Sequence, residues 1–152
     1  MTGRTARPVV VGIDGSPDAR RAMLLAGDLA KERDAELVIV HAVGLTDVVD
    51  GEHVIAERHA DEIAEQFAAW CDAVESIGID QWTPVLRRSN PVDALLAAAH
   101  EHDAALIVVG RQGSGQRPAL LLGSTAHQVA ERAECPVLIV PPVGRTTAPP
   151  TG

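Results

Sequence analysis

A glycine-rich segment near the end of the chain contains the residue types that bind phosphate. Gly110, Gly113 and Gly123 are spaced as G-x2-G-x9-G, and Ser124 and Thr125 follow the last glycine. Glycine allows backbone N–H groups to turn toward an anion and approach it closely. A helix is expected to begin at the end of this segment, where free N–H groups favour negative charge. The pattern predicts a phosphate site, and the alternative is a surface loop that ends in a capped helix.

A second polar turn, residues 12–16, follows the first apolar run of the chain. In open parallel sheets, ligands bind beyond the carboxyl ends of the strands, at the point where the strand order reverses. The turn and the glycine-rich segment both occupy such positions. Neither is a common nucleotide fingerprint, because no Gly-Lys-Ser/Thr occurs, Lys31 is the only lysine, and no G-x-G-x-x-G follows the first run.

Apolar runs supply the strands that would bring these two turns together. A weaker, alternating run at 79–88 contains Pro84, which favours an edge position for that strand. The other runs are continuous and rich in β-branched residues, as is typical of buried parallel strands. They cover residues 8–13, 36–43, 105–109 and 136–140.

Helical patterns separate these runs. Ser16-Pro17 and Asn90-Pro91 each combine an N-cap residue with proline at the first helical position. A further helix is predicted over 54–76, with Gly78 as its stop, and a capping box at Thr125 is predicted to begin the last one. Residues 44–53 are predicted to be a loop of unassigned shape.

The alternation of strands and helices predicts a single α/β domain, with helices on both faces of an open parallel sheet. The domain is predicted over residues 8–141, between an N-terminal arm at 1–7 and a flexible tail at 142–152. The aromatic content of 2% means that the core is built from aliphatic side chains.

Charge and composition narrow the function classes. The net charge of −8 and the scarcity of aromatic residues argue against a nucleic-acid partner. The longest purely apolar run, 104–109, is too short to cross a membrane, and residues 1–7 do not begin a signal peptide. The two cysteines show no C-x-x-C spacing. A cytoplasmic location, with no membrane partner, is therefore predicted.

The motifs resemble those of the nucleotide-binding branch of the universal stress protein family. The resemblance rests on the G-2x-G-9x-G-(S/T) pattern at 110–124, on the opening VVVGIDGS at 9–16, and on the closing CPVLIV at 135–140. It covers residues 7–141 in the right order. It implies a Rossmann-like five-stranded sheet in the order 3-2-1-4-5, with ATP, ADP, AMP or cyclic AMP bound between the ends of strands 1 and 4.

The resemblance also implies roles for individual residues. Asp14 would help to hold a magnesium ion beside the phosphates; from the residues alone, a turn-forming role before a helix is an equal alternative. A homodimer through strand 136–140 is implied as well. The nucleotide-binding residues would be Gly12, Asp14 and Ala42 on the adenine and ribose side, Gly110, Arg111, Gln112, Gly113, Ser114, Gly115 and Gln116 around the ribose and phosphates, and Gly123, Ser124 and Thr125 at the phosphate tail.

Three functions remain open on the sequence. The first is a regulatory or stress-response module that binds an adenine nucleotide, and the second is a slow ATPase. The third is a dimeric interaction module with a vestigial nucleotide site. No catalytic residues are assigned, because no obvious base accompanies the phosphate motif. His41, at the end of the second strand, is predicted to pack in the core or, as the alternative, to shape the pocket.

Overall fold

The apolar runs form a parallel sheet in a computed structural model that describes residues 6–111 and 122–142. In chain order, the strands are β1 Ala6–Gly12, β2 Ala35–Ala42, β3 Thr46–Val49, β4 Glu52–Ile55, β5 Trp82–Arg87, β6 Leu106–Gly110 and β7 Val137–Val140. The helices are α1 Pro17–Glu32, α2 Ala60–Asp72, α3 Pro91–Glu101 and α4 Ser124–Arg132.

The main sheet has five strands in the order β5-β2-β1-β6-β7, and all its neighbours are parallel. When β3 and β4 are left out of the numbering, this is the predicted order 3-2-1-4-5, so the predicted fold class is confirmed. The strand order reverses at β1, which pairs with β2 on one side and with β6 on the other. A crevice at the carboxyl ends of these strands is the expected ligand position in such a sheet.

Successive residues of β1 point to opposite faces of the sheet and define its two packed layers. Val9 and Val11 belong to the apolar cluster that also contains Met23 of α1 and Phe67 of α2. Val10 packs on the other face, in a cluster with side chains of α3 and α4. Both faces of the central strands are therefore covered, which explains why their sequences are continuously apolar.

Residues 44–59 differ from the prediction of a loop followed by a helix from residue 54. The chain forms an antiparallel hairpin in which β3 pairs with β4, and α2 begins only at Ala60. The hairpin turn is Asp50-Gly51, with φ of 50° and 83°, and Asp-Gly is a preferred dipeptide for two-residue turns with positive φ. The inward face of the hairpin contributes Val49 to a small apolar cluster with Ile63. This packing stabilises two strands that are too short to be stable alone.

The predicted starts of α1 and α3 are correct, because a side-chain cap defines each of them. The side chains of Ser16 and Asn90 accept hydrogen bonds from backbone N–H groups in the first turns of α1 and α3. α2 ends at Asp72 rather than at the predicted residue 76, and the left-handed Gly78, with φ of 85°, comes after the short 3-10 turn that follows. The capping box predicted at Thr125 is wrong, because Gly123 is the N-cap of α4 and Thr125 lies inside the helix. None of the helices in the described part of the chain is long and apolar enough to span a membrane.

Candidate functional site

A cavity of about 330 Å³ opens where the carboxyl ends of β1, β2 and β6 meet the beginning of α4. Each of these elements contributes a short segment, and α3 closes one side with Pro91 and Leu95. The volume lies at the lower end of the range that is usual for small-molecule sites. The cavity has a polar end and an apolar wall. The polar end is formed by Gly110, Arg111, Gly123, Ser124 and Thr125.

The polar end contains the N-terminus of α4. Gly123 is buried, and no side chain caps the helix from this position. The first helical hydrogen bond runs from the N–H of His127 to the carbonyl of Gly123. The three N–H groups before it therefore have no acceptor within the helix. They carry the positive end of the helix dipole, so this end of the cavity favours an anion.

Arg111 adds a positive side chain to the polar end. It directly follows β6, and its backbone N–H donates to the carbonyl of Val140 over 2.8 Å. Its carbonyl accepts from the N–H of Gly123 over 2.7 Å, which ties the end of β6 to the start of α4. Within the described part of the chain, Nε of Arg111 is buried and has no hydrogen-bond partner. A buried donor without an acceptor is costly, and an anion in the cavity would supply the acceptor.

The opposite wall of the cavity is mainly apolar. Val40 and Ala42 come from β2, Ile13 follows β1, and Leu95 faces them from α3. Gly12 is needed here for space, because a Cβ at this position would lie only 3.0 Å from Cδ2 of Leu95. The wall can therefore contact an uncharged planar group while the polar end contacts an anion.

Asp14 takes the turn-forming role that the sequence offered as one alternative. Its Oδ1 accepts a hydrogen bond from the N–H of Ser16 over 2.9 Å, which stabilises the turn before α1. The exposed Asp14 also lines the cavity. A turn-forming residue thus places a carboxylate at the mouth of the cavity.

His41 is part of the cavity lining and also of the core. Its ring is buried, with Nδ1 2.9 Å from the carbonyl oxygen of Ile13 and Nε2 2.8 Å from Oδ2 of Asp47. The ring centroid lies 5.8 Å from that of Phe67 and 5.1 Å from that of Trp70, the latter edge-on. Asp47 was not identified from the sequence, because it falls in the segment predicted as a loop. The Asp-Gly turn signal could have placed it in a strand, but not beside His41.

The structure brings together most of the residues predicted to bind nucleotide. Pro91 and Leu95, which also line the cavity, were not predicted as site residues. Gln112, Gly113, Ser114, Gly115 and Gln116 lie outside the described residues. Those that do line this one cavity are Gly12, Asp14, Ala42, Gly110, Arg111, Gly123, Ser124 and Thr125.

The described residues show little sign of thiol or metal chemistry. Burial, with a smaller contribution from Asp72, raises the pKa of Cys71 to about 12. Burial also raises the pKa of Cys135 above its ordinary value. Across residues 6–111 and 122–142, no group of three or more His, Cys, Asp or Glu side chains could hold a metal ion.

Comparison with known proteins gives a consistent family assignment. The family model described as "Universal stress protein family" matches residues 5–141. A universal stress protein of Mycobacterium tuberculosis is 33% identical over 136 residues, which cover 87% of this chain but 44% of that protein. The aligned part of the chain thus spans less than half of the length of this relative. Universal stress protein YxiE of Bacillus subtilis is 34% identical over 145 residues, with 87% of this chain and 97% of that protein covered.

Solved structures show the same architecture. The crystal structure of a universal stress protein in complex with cAMP has a TM-score of 0.70 and 32% identity, and it covers 90% of this chain and 98% of that one. Universal stress protein UspA from Lactobacillus plantarum has a TM-score of 0.73 at 21% identity, with 91% and 99% covered. The second similarity supports the fold alone.

Proposed function

The chain belongs to the universal stress protein family, and we propose on this premise that it is an adenine-nucleotide-binding regulatory module of a stress response. The observation that carries the proposal is the division of one cavity into an anion-binding end and an apolar wall. A nucleotide has the same division, with phosphates at one end and a planar base at the other. The relative crystallised with cAMP, at 32% identity, supports the same ligand class.

The proposed orientation follows from the charges. The phosphates contact the uncapped N-terminus of α4 and Arg111, while the base lies against Ala42, Ile13 and Leu95. Because Gly12 has no side chain, it leaves space for the ribose at this part of the wall. Residues 112–116, which belong to the proposed site, would complete the phosphate contacts.

The same arrangement favours binding over rapid hydrolysis. The titratable side chains in the described lining besides Arg111 are Asp14 and His41. Both ring nitrogens of His41 already contact acceptors, so His41 is poorly suited to activate water. Asp14 fits magnesium, which in nucleotide sites typically takes one or two carboxylates together with phosphate oxygens. Magnesium bound there with ATP would neutralise phosphate charge. We propose ATP as the ligand, with at most slow turnover.

Calorimetric titration of nucleotide-stripped protein with ATP, ADP, AMP and cyclic AMP, with and without magnesium, tests the proposal. We expect saturable binding of at least one of these ligands with one site per chain. No detectable binding of any of the four would refute the nucleotide function and would favour an interaction module with a vestigial site.

Replacing Arg111 by glutamine tests the proposed phosphate end. We expect ATP to bind about tenfold more weakly and with a smaller dependence on salt, since one charge-assisted contact is lost. Adenosine, which has no phosphate, should bind as before. The matched control is Arg33→Gln, which removes the same charge from an exposed position at the end of α1. Equal losses for ATP and adenosine, or equal losses in both variants, would argue against a phosphate contact at Arg111.

We further propose that the protein is a cytoplasmic homodimer through β7. This strand is an edge of the main sheet, and Val137, Leu138 and Ile139 are only partly buried there. Proteins seldom leave an apolar edge strand uncovered, because it invites pairing with another chain. Sedimentation velocity should give the mass of two chains, and replacing Leu138 by lysine should shift the population toward one chain. A wild-type monomer at micromolar concentration would contradict the dimer.

A further inference from the structure

We infer that Asp47 is a positioning residue of the proposed nucleotide site, acting through His41 on the peptide that joins Ile13 to Asp14. The inference rests on the proposed function, because it concerns how the base side of that site is held. It adds the hairpin of β3 and β4 to the elements that control nucleotide affinity.

Both ring nitrogens of His41 make hydrogen bonds. The carbonyl of Ile13 can only accept, so the hydrogen on Nδ1 of His41 is donated to it. The carboxylate of Asp47 is also an acceptor and faces Nε2 over 2.8 Å. Both contacts are made together when each ring nitrogen carries a hydrogen. Asp47 thus fixes the rotation of the ring and with it the direction of the Nδ1–H group.

His41 and Asp47 are both largely buried. The side chains of His41 and Asp47 are 4% and 11% exposed. Phe67 and Trp70 contact the ring from α2, which leaves it little room to turn. A hydrogen bond between two such groups is stronger than one in water, and a partner left without it loses correspondingly more.

His41 holds a part of the backbone that forms the cavity wall. The N–H of Ile13 donates to the carbonyl of Val40 over 2.8 Å, so the backbone after β1 is held from both sides of this residue. No described peptide is cis, and across a trans peptide the C=O and the following N–H point in opposite directions. Holding the Ile13 carbonyl on His41 therefore orients the N–H of Asp14. Ile13 and Asp14 both line the cavity.

The strand that contains Asp47, β3, is attached to α2. Its neighbour Val48 accepts a hydrogen bond from Nε2 of Gln66 over 2.7 Å, which fastens β3 to α2. Val49, which lies on the same face of the hairpin as Asp47, packs on the buried Ile63. The carboxylate is thus supplied by a strand that is itself held by the helix that contributes Phe67 and Trp70.

The test compares AMP with inorganic tripolyphosphate as calorimetric probes, because tripolyphosphate has no base or ribose. In Asp47→Ala, we expect AMP to bind about tenfold more weakly, on the scale of one lost hydrogen bond to a charged group. The affinity of the same variant for tripolyphosphate should stay within about twofold of the wild-type affinity. Asp47→Asn keeps an oxygen acceptor of the same reach and should restore most of the AMP affinity. Glu52→Ala, which removes an exposed carboxylate from the same hairpin, is the matched control.

A second measurement does not depend on nucleotide. In ¹H–¹⁵N spectra of the free protein, the amides of Asp14 and Gly15 should shift in Asp47→Ala and stay in place in Glu52→Ala. Unchanged amides, unchanged AMP affinity, or equal weakening of both probes would overturn the inference. If wild type binds neither probe, the amide shifts alone decide the role of Asp47, and the proposed function fails only if ATP, ADP and cyclic AMP do not bind either. If Asp47→Ala does not fold, Asp47→Ser, which is too short to reach Nε2, takes its place.

Discussion

We expect the replacement of Gly123 by valine to raise the dissociation constant for ATP by about 100-fold or more, equivalent to roughly 3 kcal/mol of binding free energy. Gly123 is the buried N-cap of α4 and lines the polar end of the cavity. Its φ of −64° and ψ of 157° are accessible to valine, so backbone strain is not the cause. The added side chain instead keeps phosphate oxygens away from the first N–H groups of the helix. Calorimetric titration with ATP, alongside circular dichroism to verify folding, measures the effect.

Two further variants separate this effect from a general response to valine. Gly44→Val introduces the same side chain at an exposed position where the nearest atom, the carbonyl oxygen of Thr46, lies 3.8 Å from an added Cβ. It should bind ATP like wild type. Gly123→Ala should fall between wild type and valine, because its side chain is smaller. A Gly123→Val protein that folds and binds ATP within about threefold of wild type would place the phosphates elsewhere.

The second large effect is on stability. Gly15→Ala should lower the free energy of unfolding by about 2–4 kcal/mol, from left-handed backbone strain and overpacking together. Gly15 has φ of 83°, and an added Cβ would collide with Cζ2 of Trp70 and lie 2.9 Å from its Cη2. Trp70 is itself packed against the apolar cluster under α1 and α2. Urea unfolding monitored by circular dichroism gives the difference.

Gly51→Ala is the control that isolates the collision. Gly51 has the same φ of 83°, but no atom lies within 4 Å of an added Cβ. This variant should therefore lose only the backbone contribution, about 1–2 kcal/mol. The difference between the two variants measures the collision with Trp70. Equal losses would mean that Trp70 moves aside freely and that the turn before α1 is not packed as described.

How far the sequence predicts this molecule depends on whether a signal is local. The continuous apolar runs predict the parallel strands correctly, because a strand covered on both faces has no alternative to apolar side chains. Ser16-Pro17 and Asn90-Pro91 predict the starts of α1 and α3, because capping needs only neighbouring residues. The hairpin was missed although Asp50-Gly51 is a recognisable turn signal. Its strands have only four residues each, and α2 supplies much of their packing.

In the candidate site, too, local signals could be predicted from the sequence and tertiary contacts could not. Gly12, Gly110 and Gly123 could be assigned from their spacing and from the family resemblance. The contact between His41 and Asp47 could not, because it depends on how a hairpin sits on α2. The position of Leu95 opposite Gly12 follows only from the packing of α3 on the sheet.

A ¹H–¹⁵N titration of the isotopically labelled protein with ATP and magnesium tests directly whether the cavity binds nucleotide. We expect the largest saturable shifts at the amides of Gly12, Asp14, Gly110, Gly123 and Ser124, which line one cavity from three different parts of the chain. Amides of the exposed strand β4, such as that of Glu52, and along α2 should move far less. Shifts concentrated away from the cavity, or none at saturating ATP, would contradict the claim that this cavity is a nucleotide site.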